Sequence, residues 1–420
     1  MITLKNFKSF YIILVLASMN INMVESQLKG PKYDERLLFK NVRGINLSFV
    51  SQEWNLTDSA STKITVAQTS TPFSTSIPIT TRMLLTITGS VASSSNDVPQ
   101  VVTDTSGNIT TLENDKYEMK GLSDTKLAMS YVVPGDKLWI NGGLSFPTGQ
   151  KKLTSDQFKV SRMISQAGLN FRVPIAGQGF NANLGLAYAY SYSRRIVLGF
   201  GMSGTYKGIF EPIAIENIEG SNTTFPNVEY NPGEDFSMNS GIDYTSANKE
   251  QRFSSDLTFS YYLPDQINNQ KTFQVGPRFN ALILLSQKFG PTTNVALLRG
   301  RYRLKNTIFS SDSLSTPNKY PSAKQFEFQY VLTVPVLNWF TLNGNFEYKY
   351  HTADQFPLGD KIMETGNVDM ASFGVDVNAP ITDWLVLMLA TKKGSGKLVI
   401  EGKEYDADGF DFGLGVKISL

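Results

Sequence analysis

The sequence predicts an all-β protein, a transmembrane antiparallel up-and-down β-barrel of fourteen to sixteen strands, with short periplasmic turns and longer outer loops. Three observations carry this. Apolar and polar side chains alternate with a period of two along nearly the whole chain, and no helical period is evident after the first 26 residues. Short turns and long polar connections follow one another in turn. The chain stops on "GFDFGLGVKISL", where Phe410, Phe412, Leu414, Val416, Ile418 and Leu420 are apolar and every residue between them is small or polar. Such a strand has one oily and one wet face.

Taken in order, the first element is a secretory signal over residues 1–26. Lys5 and Lys8 supply its charge, Phe10–Ala17 its apolar stretch and Val24-Glu25-Ser26 its cleavage site. Eight apolar residues are too few for a membrane-spanning helix. Residues 27–43 form a short N-terminal periplasmic segment, and 44–420 a single barrel. Strands are expected near 44–54, 63–77, 83–93, 122–133, 138–146, 180–192, 196–207 and 236–247, then 251–263, 273–287, 294–305, 323–334, 339–350, 368–379, 384–391 and 408–420. Met83, Leu85, Ile87 and Val91 give one oily row; Phe326, Phe328, Tyr330, Leu332 and Val334 give another. The first two strands alternate most weakly.

The short links are Pro78–Arg82, Pro134–Lys137, Pro335–Asn338 and Pro380–Asp383, with Ser193–Arg195 and Gly290–Thr293 in equivalent places. Proline presets φ and has no N–H for a ladder, so it belongs at strand ends and turns. Longer polar links are expected at 93–121, 148–178, 208–234, 307–321, 352–367 and 392–406.

Composition removes several classes. Lys+Arg total 39 against Asp+Glu 37, so there is no basic surface for a nucleic acid. Without cysteine there are no disulfides, thiolate metal sites or cysteine nucleophiles, and one histidine, His351, rules out a multi-histidine site. No cofactor and no metal is expected.

Lipid, not a second sheet, is read against the oily face. Trp139, Trp339 and Trp384 each follow a short turn, as an interfacial aromatic girdle would. The strands exceed the roughly 5–6 residues usual in globular sheets. In hydrocarbon every backbone group must be paired, so the strands must close and the last must meet the first.

The stretches "GLSDTKLAMSYVVPGDKLWINGGLSFPTG" (Gly121–Gly149), "YSRRIVLGFGMSGTYKG" (Tyr192–Gly208) and "YNPGEDFSMNSGIDY" (Tyr230–Tyr244) resemble outer-membrane proteins of the phenol meta-pathway type, relatives of the long-chain fatty-acid transporters. The resemblance spans about residues 80–420 and implies uptake of small, often hydrophobic molecules. The terminal strand is similar to the sorting signature of Gram-negative barrels, which implies that Phe410, Phe412 and Leu420 are read by the barrel assembly machinery; Leu420 stands where that signature has Phe.

On the wet face, Arg299, Arg301, Arg303 and Lys305 share one strand, while Gln325, Glu327 and Gln329 share the next. Their hairpin is expected to bring Arg301 opposite Glu327. Arg278, Asp243, Asp256, Glu347, Lys349, Asp376, Asp411 and Lys417 are further inward charges. Two readings stand: a positive constriction favouring anionic solutes, or salt bridges that stiffen the wall. Leu282, Leu284 and Val331 are inward but apolar. His351 with Asp354 would supply half of a hydrolase site, but with no locatable partner it reads as a surface histidine, and no catalytic residue is assigned.

Together these lead to the expectation of a passive outer-membrane channel for small hydrophobic or amphipathic solutes, not an enzyme, with membrane lipid and a small-molecule solute as partners. Segment 148–178 is expected to fold inward. A general porin for polar or anionic solutes and a surface adhesin are the alternatives.

Overall fold

In a computed structural model, the chain is described at residues 39, 42–103, 109–150, 152–173, 177–211, 229–309, 318–319, 323–337, 339–352, 354–358 and 361–419. The expected signal sequence, nearly all of the expected N-terminal segment and Leu420 lie outside these residues. In chain order the elements are β1 (Gly44–Asp58), β2 (Lys63–Thr80), β3 (Met83–Thr103), β4 (Ile109–Leu122), β5 (Thr125–Val132), β6 (Leu138–Phe146), α1 (Ser155–Ile164), β7 (Asn181–Ser191), β8 (Ile196–Lys207), β9 (Tyr230–Asn231), β10 (Asp235–Thr245) and β11 (Gln251–Tyr262). There follow β12 (Asp265–Ile267), β13 (Gln270–Gln274), β14 (Arg278–Phe289), β15 (Thr292–Arg303), β16 (Thr307–Ile308), β17 (Asn318–Lys319), β18 (Ala323–Leu337), β19 (Phe340–His351), β20 (Asp354–Leu358), β21 (Lys361–Thr365), β22 (Asn367–Thr382), β23 (Leu385–Ile400) and β24 (Lys403–Ser419).

Sixteen staves close a ring, each antiparallel to its neighbours. β4 and β5 count as one stave, because both pair with β3 on either side of a break at Ser123-Asp124. The final strand seals against the first from Gly44↔Ser419 to Asp58↔Tyr405. All sixteen expected strands have a counterpart.

The wall presents alternate residues outward. Leu184, Leu186, Tyr188 and Tyr190 on β7, Phe236 and Met238 on β10, and Phe410 and Leu414 on β24 are all exposed. A water-soluble protein rarely leaves so continuous an apolar surface bare, whereas a lipid-embedded barrel requires one. The proline turns work as expected, with a detail added. Register shifts follow Pro78, Pro335 and Pro380, so each strand carries a bulge just before its turn.

Several expected loops are instead hairpins that carry the wall upward. β3 continues to Thr103 and β4 begins at Ile109, while β23 and β24 meet in a two-residue turn with Glu401 and Gly402 at φ 51° and 78°. Segments β9, β12, β13, β16 and β17 assemble a separate five-stranded sheet from neighbouring outer connections, and β20–β21 form another hairpin. Above the lipid both faces of a strand meet water, so the hydrophobic alternation that marks a strand in the sequence disappears. Phe39 and Val42 reach the short-turn mouth, where Phe39 is buried with Val132, Trp139 and Ala187.

Candidate functional site

The connection between β6 and β7 lies inside the barrel, against the inner wall. Its feet are tied by one buried carboxylate: Asp124, in the β4–β5 break, accepts from Gly149 N–H through Oδ1 (3.0 Å) and from Gln178 N–H through Oδ2 (2.7 Å). Between the feet lies α1, an element the periodicity reading missed. Its signal was present, since Thr154 and Gln157 form a capping box (Gln157 N–H to Thr154 Oγ1, 3.3 Å; Thr154 N–H to Gln157 Oε1, 3.1 Å). Val160, Met163 and Ile164 then follow at helical spacing and are buried. Ten residues are too short a run to stand out against a chain of alternating strands.

The segment expected to fold inward therefore packs against the inner wall. Leu153, Val160, Met163, Ile164, Leu169 and Phe171 form one apolar cluster with inward residues of β1, β2, β4, β22, β23 and β24, among them Trp54, Val66, Met119, Met370, Leu398 and Tyr405. Gly168 passes so close to the wall that a Cβ would lie 3.0 Å from Met370 Sδ. Two side-chain amides hold the irregular stretch after it. Gln52 donates to Asn170 C=O (3.2 Å) and accepts from Arg172 N–H (2.8 Å), and Gln68 does the same to Val173 (both 3.0 Å). A buried amide that meets both groups of a peptide leaves neither backbone group unsatisfied. Trp54 lies across Gly394 and Gly409, where any Cβ would enter its ring at 2.6 and 2.2 Å. Its Nε1 makes no hydrogen bond among the described residues, and it borders a cleft with Gly168, Asn170, Glu347, Lys349 and Lys392.

The charged side chains fall into two groups. On β18–β24 they are stitched together: Glu347 pairs with Lys349 (3.2 Å) and Lys392 (3.0 Å), Lys392 reaches Asp411 at 4.0 Å, and Asn345 donates to Asp376 (2.5 Å). These contacts link β19, β22, β23 and β24. On β14 and β15 the basic character is greater. Arg278 stands opposite Arg303, Asn280 opposite Arg301 and Leu282 opposite Arg299. Arg299 pairs with Glu327 at 2.9 Å, whereas Arg301 is held by the neutral Asn280 (2.9 Å) and Gln325 (2.6 Å). Arg278 lies over Tyr262, 5.3 Å from the ring centroid. Asp256 faces the lumen on β11, opposite Leu282, and the pair Asp243–Arg252 (2.6 Å) sits nearby.

Four expectations need correction. Glu327 opposes Arg299 and not Arg301, a slip of two residues that the alternation permits because it leaves every face unchanged. Lys305 lies beyond the end of β15 and is exposed, so the basic row has three members. His351 is 3 % exposed, with Nε2 3.3 Å from Glu327 Oε1, and is no surface residue. Trp139 is 5 % exposed and faces inward, edge-on to Phe39 at 5.9 Å. Leu138, Trp139 and Ile140 are consecutive apolar residues, so alternation gives no phase there. Trp339 and Trp384, at 57 % and 53 % exposed, do sit at the short-turn rim.

No family model matches the chain, and no curated protein matches it. Among solved structures it is similar to the TodX deltaS2S3 mutant monoaromatic hydrocarbon channel (9 % identity, TM-score 0.44, 90 % of each chain). It is also similar to the outer membrane channel DcaP of Acinetobacter baumannii (10 %, TM-score 0.38, 90 % of this chain and 96 % of that one). A third is the translocator domain of autotransporter NalP from Neisseria meningitidis (8 %, TM-score 0.32, 98 % of each). At such scores these likenesses carry no argument about solute or mechanism.

Proposed function

We propose that this protein is a passive channel of a Gram-negative outer membrane for small amphipathic solutes, narrowed by the β6–β7 connection. The observation that carries the reading is the division of labour inside the barrel. The apolar inner surface of β1, β2 and β22–β24 is covered by the in-folded segment. The wall of β14, β15 and β18 instead keeps its half-exposed arginines beside half-exposed Leu282, Leu284, Leu297 and Val331. A solute passing that wall meets hydrogen-bond donors and apolar surface together, and diffusion down a gradient needs no further machinery. Catalysis has no part in this reading, and the barrel assembly machinery would engage Phe410, Phe412 and Leu420.

Reconstitution into liposomes tests it. Uptake of small amphipathic solutes should be independent of any energy source and faster than through protein-free bilayers. A barrel tight to every solute, even after replacement of residues 152–173 by a short linker, overturns the reading. The basic row favours a general porin for polar or anionic solutes as a second reading; sugars and inorganic anions would then pass as readily as amphipathic ones.

A further inference from the structure

We infer that the β14–β15 wall holds a binding site for an organic monocarboxylate, its head on Arg278 and Arg301 and its hydrocarbon body on Leu282, Leu284 and Leu297. The inference deepens the channel reading by naming the solute class, and rests on it for the site's role in passage.

The argument begins with how Arg301 is held. Asn280 and Gln325 each accept one of its N–H groups (2.9 and 2.6 Å), fixing the plane of the guanidinium without a carboxylate in direct contact among the described residues. A guanidinium oriented by neutral amides offers its remaining donors in a fixed fork, the geometry a carboxylate accepts. Arg278 is the second member. Its Nε is buried without a hydrogen-bond partner, and Tyr262 supports its guanidinium from one side. Among the described residues no carboxylate pairs with Arg278, which faces the lumen partly exposed, so an anion there would supply the missing counter-charge. Arg299 adds little, since Glu327 already occupies it.

The lipophilic half follows from register. Leu282 stands opposite Arg299, and one pleat further toward the short-turn rim Leu284 stands opposite Leu297. Period two puts these three on the same lumen face as Arg301, with successive rows about 6.8 Å apart. A molecule lying along the wall thus has its charged end at the arginines and several carbons over leucine. Of the acids nearest the site, Glu327 pairs with Arg299 and Asp243 with Arg252, while Asp256 faces Leu282 one strand away, two rows from the Arg278 end where the carboxylate head would sit. A solute lacking either half forfeits one set of contacts, so the site selects for both.

Hexanoate, acetate and 1-hexanol are the probes. Binding to the detergent-solubilised barrel is followed by saturation-transfer NMR, and flux by liposome uptake. Hexanoate should bind at least about tenfold more tightly than acetate or 1-hexanol. Arg278→Gln with Arg301→Gln should weaken hexanoate by about tenfold or more, the loss expected for a charged hydrogen-bond pair. Leu284→Asn with Leu297→Asn should bring hexanoate to the level of acetate and leave acetate unchanged. Arg278→Lys with Arg301→Lys keeps the charge and should restore part of the binding, which guards against a misfolded glutamine variant, as does a heat-dependent shift on a denaturing gel. Equal binding of hexanoate and 1-hexanol, or hexanoate binding unchanged by the glutamine pair, overturns the site. Arginine-dependent binding without any flux sustains the site and overturns the channel reading; flux with no arginine-dependent binding does the reverse.

Discussion

The in-folded segment is held by two kinds of contact, and their magnitudes differ enough to predict which one keeps the lumen narrow. Leu153, Val160, Met163, Ile164, Leu169 and Phe171 are buried against the wall. At roughly 1.5–3 kcal/mol for each buried side chain, the six contribute about 9–18 kcal/mol. The Gln52 and Gln68 clamps supply four hydrogen bonds, at about 0.5–1.5 kcal/mol each a total near 2–6 kcal/mol. Burial therefore dominates. Gln52→Leu alone strands the Asn170 C=O and the Arg172 N–H at about 1–3 kcal/mol each, about 2–6 kcal/mol in all and less than the burial, so the segment should stay seated and the single-channel conductance should remain within about a factor of two of wild type. Ile164→Asn with Leu169→Asn is different in kind. Each change removes about 1.5–3 kcal/mol of burial and strands an amide at a further 1–3 kcal/mol, so the pair costs about 5–12 kcal/mol. That is comparable to the whole apolar contribution, and the segment should leave the wall. The assay is single-channel conductance in planar bilayers, with replacement of residues 152–173 by a Gly/Ser linker as the open reference. The linker can close because Asp124 holds both feet of the connection together. The asparagine pair should conduct like the linker variant, several-fold above wild type. If wild type, asparagine pair and linker variant conduct alike, the segment does not obstruct the lumen and the reasoning fails.

Three further outcomes follow from particular residues. In single-tryptophan variants, brominated lipid should quench Trp339 and Trp384 strongly and leave Trp139 bright; quenching of Trp139 equal to the others would place it on the lipid face after all. Gly409→Ala sets a methyl group inside the Trp54 ring, so the near-ultraviolet circular dichroism of Trp54 should change and stability should fall by about 1–3 kcal/mol; an unchanged spectrum and melting profile would contradict the packing. In the outer sheet, burial and the Asp265 carboxylate raise the Tyr230 phenol above its ordinary value of 10.0. The folded sheet holds that proton more tightly than the unfolded chain, so this contribution is complete below pH 10.0 and declines as pH rises through the raised value. Proteolysis of the outer hairpins should accelerate at strongly alkaline pH in wild type and show a flatter profile in Tyr230→Phe; a wild-type rate independent of pH would refute the linkage.

Much of the barrel was legible in the sequence because lipid on one side and water on the other impose a two-residue period on every stave. That period located all sixteen strands, the inward face of the arginines and of Glu347, and the closing strand, which ends among the described residues at Ser419. It said little where the two sides of the chain meet the same medium. Strand extensions above the lipid read as loops, the consecutive apolar run at Leu138–Ile140 hid the phase of Trp139, and a ten-residue helix was lost among the strands. Tertiary structure alone decided the rest. Register between strands is degenerate by two, so only the closed ring determines that Glu327 meets Arg299 and leaves Arg301 to neutral amides. Burial of His351, the glycine cradle for Trp54 and the docking of the β6–β7 segment on far-off Gln52 and Gln68 are contacts between residues distant along the chain. A local period carries information about which side a residue faces, and none about what waits for it across the lumen.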